Sequence, residues 1–132
     1  MTSIASTRKL LQSMFSEMVV KKDASLIPHY YHADFLLETN GQTQSYESFA
    51  RGHEKVYATP ITYEVRYDEA AWIESATRVA ARVWIRTQRP NENPVEYEVV
   101  LIATYVDEKI HRLWELTWPD WTTAKAFVGA FE

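Results

Sequence analysis

The chain has 132 residues, a length typical of one domain, and we expect residues 1–132 to form a single domain. Its 14 basic and 18 acidic residues give a formal net charge of −4, and the basic residues are scattered, which argues against a nucleic-acid partner. The absence of cysteine excludes disulfides, thiol nucleophiles and cysteine-ligated zinc sites. No signal peptide or membrane-spanning run is recognisable, so we expect a cytoplasmic protein without a membrane partner.

Aromatic residues are the unusual feature of the composition, because they make up 14% of the chain. Such residues can fill a hydrophobic core, or they can line a cavity that receives a flat organic molecule. Composition alone favours the core.

Three helices are predicted in the first half of the chain. Ser6 or Thr7 can cap the first helix, whose apolar residues recur at helical spacing over residues 10–19. Asp23 can cap a short second helix, and Ser45 can cap a third.

Strands are predicted from residue 61 onward, where apolar and polar residues alternate. In the strand of residues 78–86, Val79 and Val83 are expected in the core, while Arg82 and Trp84 are expected on the outer face. Glutamates in the polar positions of the next strand are expected to pair with that basic face. A short C-terminal helix, capped by Thr122 or Thr123 and carrying Phe127, Val128 and Phe131, is predicted after the last strand.

The order of these elements predicts an α+β fold. Long antiparallel strands twist and coil, and a curved sheet leaves a hollow on one side. We therefore expect a cone-shaped α+β barrel, with three N-terminal helices packed in the hollow of a strongly curved, mostly antiparallel sheet.

Three stretches resemble SnoaL-like domains of the nuclear transport factor 2-like superfamily. They are the aromatic-x-x-Asp-Phe pattern in residues 30–35, the turn and helix of residues 41–57, and residues 109–115, where Glu108 stands in place of the usual Gly. The resemblance implies a cone-shaped pocket and a homodimer formed through the outer face of the sheet. Members include ketosteroid isomerase, limonene epoxide hydrolase, polyketide cyclases and non-catalytic binding modules, so function must be argued from the pocket residues.

The catalytic side chains that the resemblance implies are missing from their expected positions. The oxyanion tyrosine of the isomerases falls on Phe15, and their general-base aspartate falls on Thr39, so neither side chain can do that chemistry. Glu38 is adjacent to Thr39 but points to the opposite face of a regular strand, and only a bulge could turn it inward. Glu38 is kept as a candidate catalytic residue. The acid that polyketide cyclases carry near the end of the last strand falls on Trp118.

His53 is the second candidate catalytic residue. It lies on the apolar stripe of the third helix, where a core histidine with one hydrogen bond is the simpler interpretation and a pocket base is the alternative. His29 and His32 are three residues apart, but two histidines without a further ligand are weak support for a metal. No metal site is predicted, and no cofactor is implied because no glycine-rich phosphate loop occurs.

The last strand supplies the remaining candidates. If the face of Ile110 lines the pocket, then Arg112, Trp114 and Trp118 line it as well, and Glu115 faces a partner subunit. Alternation alone does not decide which face is inside. The predicted substrate-binding residues are Phe15, Tyr31, Tyr57, Arg112, Trp114 and Trp118.

These observations predict a SnoaL-like homodimer with a pocket for a small apolar or aromatic ligand. The chemistry expected is that of a cofactor-independent isomerase, dehydratase or cyclase, acting on a flat apolar compound by general acid–base catalysis. The alternative is a non-catalytic ligand-binding or dimerisation module of the same fold.

Overall fold

The computed structural model describes residues 6–130 of the chain. The first helix, α1 (Thr7–Met14), begins where Ser6 Oγ accepts a hydrogen bond from the Lys9 N–H, so the predicted cap is confirmed at Ser6. The chain stays helical over Phe15–Val19, where it widens into a π-type turn. One side of this helical segment is buried and carries Leu11, Met14, Phe15, Met18 and Val19.

Two further helices begin at the predicted capping residues. Asp23 caps a single turn, Ala24–Leu26, which leads into α2 (Ile27–Tyr30). Ser45 caps α3 (Tyr46–Tyr57), which packs against the sheet through its apolar stripe. Both predictions are confirmed.

The strands form one curved, mostly antiparallel sheet in the order β2-β1-β7-β6-β5-β3, with β4 paired to β5. Among the described strands, only β1 and β7 form a parallel pair. The α+β architecture predicted from the sequence is therefore confirmed. The strands are β1 (Tyr31–Thr39), β2 (Gln42–Ser45), β3 (Thr62–Tyr67), β4 (Ile73–Glu74), β5 (Arg78–Gln88), β6 (Val95–Val106) and β7 (Lys109–Trp118).

A bulge interrupts β7 near its start. Ile110 lies opposite Tyr105 of β6, but the next residue of β6, Thr104, lies opposite Arg112. His111 is therefore the extra residue of the bulge. Because side chains alternate with a period of two, one extra residue exchanges the inner and outer faces of the whole strand after it.

The basic face of β5 is on the outside of the sheet, as predicted. Arg82 Nε donates to Glu98 at 2.7 Å, and Arg66 of β3 donates to Glu96 at 3.0 Å. The guanidinium groups of Arg66 and Arg82 both stack on Trp84, at 4.1 and 4.6 Å from the ring centroid. The predicted pairing of this face with the glutamates of β6 is confirmed for Arg82.

The segment after β7 differs from its prediction. Instead of a helix capped by Thr122 or Thr123, a single turn, Trp121–Thr123, is capped by Asp120. Phe131, which was predicted to belong to that helix, lies outside the described residues. Across residues 6–130, no helix has the length and apolar character needed to span a membrane.

Candidate active site in the cone

A cavity of about 130 Å³ lies between the helices and the concave face of the sheet. Its wall is mostly aliphatic and aromatic, and it receives side chains from α1, α3 and five strands. Among its described lining residues, the ionisable side chains are Glu115, His53 and four tyrosines. A few polar groups set in an apolar wall are typical of small-molecule sites.

Four of the predicted site residues meet at this cavity. Phe15, Tyr31, His53 and Tyr57 all line it. Tyr31 contacts Phe49 with ring centroids 4.7 Å apart, and His53 meets Tyr57 edge to face at 5.4 Å. This half of the set comes from the helices and from the start of β1.

The other four predicted site residues lie elsewhere. Trp114 and Trp118 are 40% and 76% exposed on the outer face of β7, and Arg112 points to the same side of the strand. Placing them in the cavity was wrong because the bulge reverses the alternation that starts at Ile110. Glu38 is exposed on the outer face of β1, so it does not line the cavity either.

Glu115 is the carboxylate that the bulge turns into the cavity. It lines the wall together with Thr117, so the expectation that Glu115 faces a partner subunit was wrong. Its Oε1 accepts hydrogen bonds from Thr39 Oγ1 at 2.8 Å and from Trp121 Nε1 at 3.3 Å. Burial raises the pKa of the Glu115 carboxyl, and these two hydrogen bonds offset only part of that effect.

The Glu115 carboxyl lies beside Thr39, the position at which the resemblance to ketosteroid isomerase places the general base. The resemblance to ketosteroid isomerase puts the general base at residue 39, and Thr39 is buried on the inner face of β1. Glu115 lies directly opposite Thr39 in the parallel pairing of β1 and β7. The neighbouring strand therefore supplies a carboxyl group beside the position where the sequence lacks one.

His53 is held as a neutral imidazole. Its Nδ1 lies 2.8 Å from the carbonyl oxygen of Phe49, and because a carbonyl only accepts, Nδ1 carries the proton. Burial lowers the pKa of His53 to about 4, and the hydrogen bond to Phe49 counteracts this only in part. At neutral pH the ring is uncharged, and its Nε2 is the unprotonated nitrogen.

Tyr57 brings a buried hydroxyl to the same wall. Within the described part of the chain, its hydroxyl has no hydrogen-bond partner. A buried polar group without a partner costs about 1–3 kcal/mol, so such a group is frequently one that meets a ligand or a water.

The C-terminal segment closes one side of the cavity. Trp121 and Phe127 line it, and their rings meet edge to face at 5.9 Å. Phe127 also contacts Tyr97 of β6 at 6.0 Å. Because Trp121 also donates to Glu115, this segment both covers the cavity and contacts its carboxyl group.

Several solved structures share this arrangement of helices and sheet. A SnoaL-like polyketide cyclase from Agrobacterium tumefaciens is 15% identical, with a TM-score of 0.63 over 87% of this chain and 93% of its own. An LEH-like epoxide hydrolase from M. tuberculosis is 12% identical, with a TM-score of 0.70 over 84% and 81%. AclR from Streptomyces galilaeus is 19% identical, with a TM-score of 0.68 over 91% and 95%.

The chain has a SnoaL-like fold. These matches are all below 20% identity, and they confirm the predicted resemblance at the level of the fold. No family model matches the sequence, and no curated protein matches it either.

Within this SnoaL-like fold, the cavity combines a proton-transfer group with two polar neighbours. The Glu115 carboxyl can give or take a proton, and the Tyr57 hydroxyl can donate a hydrogen bond. The neutral imidazole of His53 forms part of the cavity wall. Among the described lining residues, one carboxyl and one imidazole are fewer than the three protein ligands typical of a catalytic zinc site. Glu115 could have been found from the sequence only if the bulge at His111 had been recognised, because the bulge is what turns Glu115 toward the cavity beside Thr39.

Proposed function

We propose that this SnoaL-like protein binds a small, mostly apolar ring compound in its cavity and catalyses proton transfer on that compound. The observation that carries the proposal is the half-buried Glu115 carboxyl, which lines a mostly apolar cavity and has a raised pKa. Enzymes raise the pKa of catalytic carboxyl groups in this way, because a poorly solvated carboxylate is a stronger base.

The size of the cavity supports a ligand with a single ring. An apolar cavity of about 150 Å³ is large enough to bind benzene. The cavity of about 130 Å³ is close to that volume. A ring compound with one carbonyl or hydroxyl oxygen would match both its apolar wall and its few polar groups.

The proposed step is proton abstraction next to a carbonyl group. The Glu115 carboxylate removes a proton from the adjacent carbon, and the bonding electrons move to the carbonyl oxygen. The Tyr57 hydroxyl, which lacks a partner among the described residues, supports the developing negative charge with a hydrogen bond. If the ring carries a β,γ double bond, the protonated Glu115 returns the proton at the γ carbon, which gives isomerisation. If the β carbon carries a hydroxyl, the enolate re-forms the carbonyl and expels that hydroxyl, which takes the proton from Glu115 and leaves as water, and this gives dehydration.

Deuterium exchange into cyclohexanone tests this proposal, because the compound has one ring and one carbonyl. We expect the protein to accelerate exchange at the carbons next to the carbonyl in D₂O, as followed by NMR. Glu115→Gln should reduce that acceleration by a factor of about 100 or more. Glu38→Gln is the matched control, because Glu38 is an exposed acid on the opposite face, and it should retain the wild-type rate.

Binding is measured in parallel through the fluorescence of Trp121, which lines the cavity, with Trp121→Phe identifying its signal. Saturable binding without accelerated exchange would reject catalysis of this type and favour the non-catalytic binding module. Equal loss of exchange in Glu115→Gln and Glu38→Gln would also reject the role of Glu115.

We also propose that a second copy of the chain covers the outer face of the sheet. The centre of that face is apolar, and its exposed residues come from three adjacent strands, whereas ion pairs surround Trp84 farther along the sheet. Monomeric proteins rarely leave a large contiguous apolar patch exposed. The patch consists of Leu36, Val100, Ile102, Trp114, Leu116 and Trp118.

Light scattering of a paired substitution tests the homodimer. We expect the wild type to be a dimer at micromolar concentration, and Leu116→Ser combined with Trp118→Ser to give a monomer. Ile73→Ser is the matched control, because Ile73 is 71% exposed but lies on β4, away from the patch. A wild-type monomer, or a dimer that survives the double substitution, would contradict the proposal.

A further inference from the structure

Three potential metal ligands meet where β1 and β7 both leave their regular pairing. In β7 the extra residue of the bulge is His111. In β1 the pairing with β7 stops at Tyr31 and resumes at Leu36, and His32 and Asp34 lie in the unpaired stretch between them. Bulges re-aim side chains out of the regular alternation, and they are over-represented beside functional sites.

The side chains of these three residues converge. One potential ligand atom from each lies within 4.8 Å of the other two. His32 Nδ1 and Asp34 Oδ2 are 4.0 Å apart, and the rings of His32 and His111 meet edge to face with centroids 5.0 Å apart. Ligand atoms at a tetrahedral zinc ion with bonds of about 2.0 Å lie about 3.3 Å from one another. The Asp34 side chain is 80% exposed, so its carboxylate has room to move toward His32 Nδ1, and a bound ion would draw the three ligand atoms closer together.

We propose that His32, Asp34 and His111 together bind one divalent transition-metal ion, for which Zn²⁺ is the matching probe. Two imidazoles and one carboxylate are ligands that Zn²⁺ takes, with water in the fourth position. In the sequence, His29 is the histidine nearest to His32, but in the folded chain the ring of His32 contacts that of His111 from the last strand. The ion would join the parallel strands β1 and β7 across their two bulges.

This site is separate from the cavity, because none of the three residues belongs to the cavity wall. The metal would therefore act on the structure around β1 and β7, and its binding does not depend on the proposed proton transfer. The metal test and the deuterium-exchange test can succeed or fail independently.

Arg112 is the natural competitor of the metal. Its Nη1 lies 3.3 Å from His111 Nε2 and donates to the carbonyl oxygen of Asp34 at 2.7 Å. A guanidinium charge this close opposes the arrival of a second cation. The backbone N–H of Asp34 also donates to His32 Nδ1 at 3.0 Å, and this contact must be released if that nitrogen binds the metal.

Zinc binding to the tag-free chain is measured by competition with a chromophoric chelator. We expect one Zn²⁺ per chain and a rise in melting temperature when Zn²⁺ is added. His32→Gln, Asp34→Asn and His111→Gln should each weaken binding by a factor of about ten or more. Arg112→Gln should tighten it, because the competing cation is removed.

His29→Gln is the matched control, because His29 is an exposed histidine on α2 outside the cluster, and it should bind Zn²⁺ like the wild type. Melting curves with a chelator present establish that each variant folds before its affinity is interpreted. The proposal is overturned if the wild type binds no zinc, if binding survives all three ligand substitutions, or if His29→Gln abolishes it. Weaker binding by Arg112→Gln would overturn the role of Arg112 as competitor.

Discussion

The two faces of the central sheet carry similar residue types but place them in opposite environments. On the inner face, the half-buried Glu115 lines the cavity, and its carboxyl accepts hydrogen bonds from Thr39 and Trp121. On the outer face, Glu98 has a side chain that is 39% exposed, and its partner is the charged Arg82. A glutamate thus lines the cavity on one side of the sheet and belongs to a surface ion pair on the other.

This difference shows why burial, and not residue type, marks the candidate site. Exposed ion pairs contribute about 0–1 kcal/mol because water and salt screen them. Inside the cavity, the loss of hydration shifts the pKa of Glu115 upward and that of His53 downward. The inner face has few ionisable groups, and each is perturbed in the direction that favours its neutral form.

The largest expected effect is a loss of stability when the inner face loses an aromatic ring. Phe35 is 1% exposed and packs edge to face on Tyr31 and Phe49, with centroids 4.8 and 4.9 Å apart. Phe35→Ala should lower the free energy of unfolding by about 3–5 kcal/mol, because it leaves a cavity in the core. Denaturant titration measures the change.

Leu36→Ala is the matched substitution on the outer face, because Leu36 is the next residue and is 39% exposed. It should lower the free energy of unfolding by less than about 1 kcal/mol. Both variants are compared at a concentration where their oligomeric states agree. Equal losses at the two positions would show that the outer face is covered as fully as the inner one.

Most of the fold could be predicted from the sequence because its local signals agree with the final structure. Ser6, Asp23 and Ser45 cap helices at the positions that their side chains favour. Strands β5 and β6 pair without a bulge between them, so simple alternation predicts their inner and outer faces. Strands β2 and β4 were missed, because the four residues of β2 are all polar and the two residues of β4, Ile73 and Glu74, are too few to show a period.

The candidate site was only half predictable, and one bulge is the reason. The residues on helices, Phe15, His53 and Tyr57, were found because helical periodicity continues through their segments. On β7 the same kind of argument started from Ile110 and was carried past His111, where the alternation reverses. A bulge depends on pairing with neighbouring strands, which a single strand's sequence does not encode. The catalytic candidate Glu115 was therefore assigned to the wrong face.

A smaller effect is expected from the acid titration of His53, which sharpens the contrast between buried and exposed groups. The pKa of His53 is lowered from 6.5 to about 4 in the folded chain, so protonation favours the unfolded chain. The stability that this group contributes is fully present above about pH 6.5 and is lost as the pH falls toward 4. That loss is about 3 kcal/mol, since one pKa unit corresponds to about 1.4 kcal/mol.

Thermal or denaturant unfolding of the wild type and His53→Gln between pH 7 and pH 4 measures this contribution. Other groups also titrate in this interval, but they are common to both proteins, so the difference between the two curves isolates the contribution of His53. A chelator is added so that no metal binds His32, Asp34 and His111. We expect the wild type to lose more stability than His53→Gln over this interval, whatever the stability of the variant at neutral pH. His29→Gln, at an exposed histidine, should follow the wild-type curve. Parallel curves for the wild type and His53→Gln would mean that solvent reaches the imidazole freely, and the inner face would then differ from the outer face in composition but not in hydration.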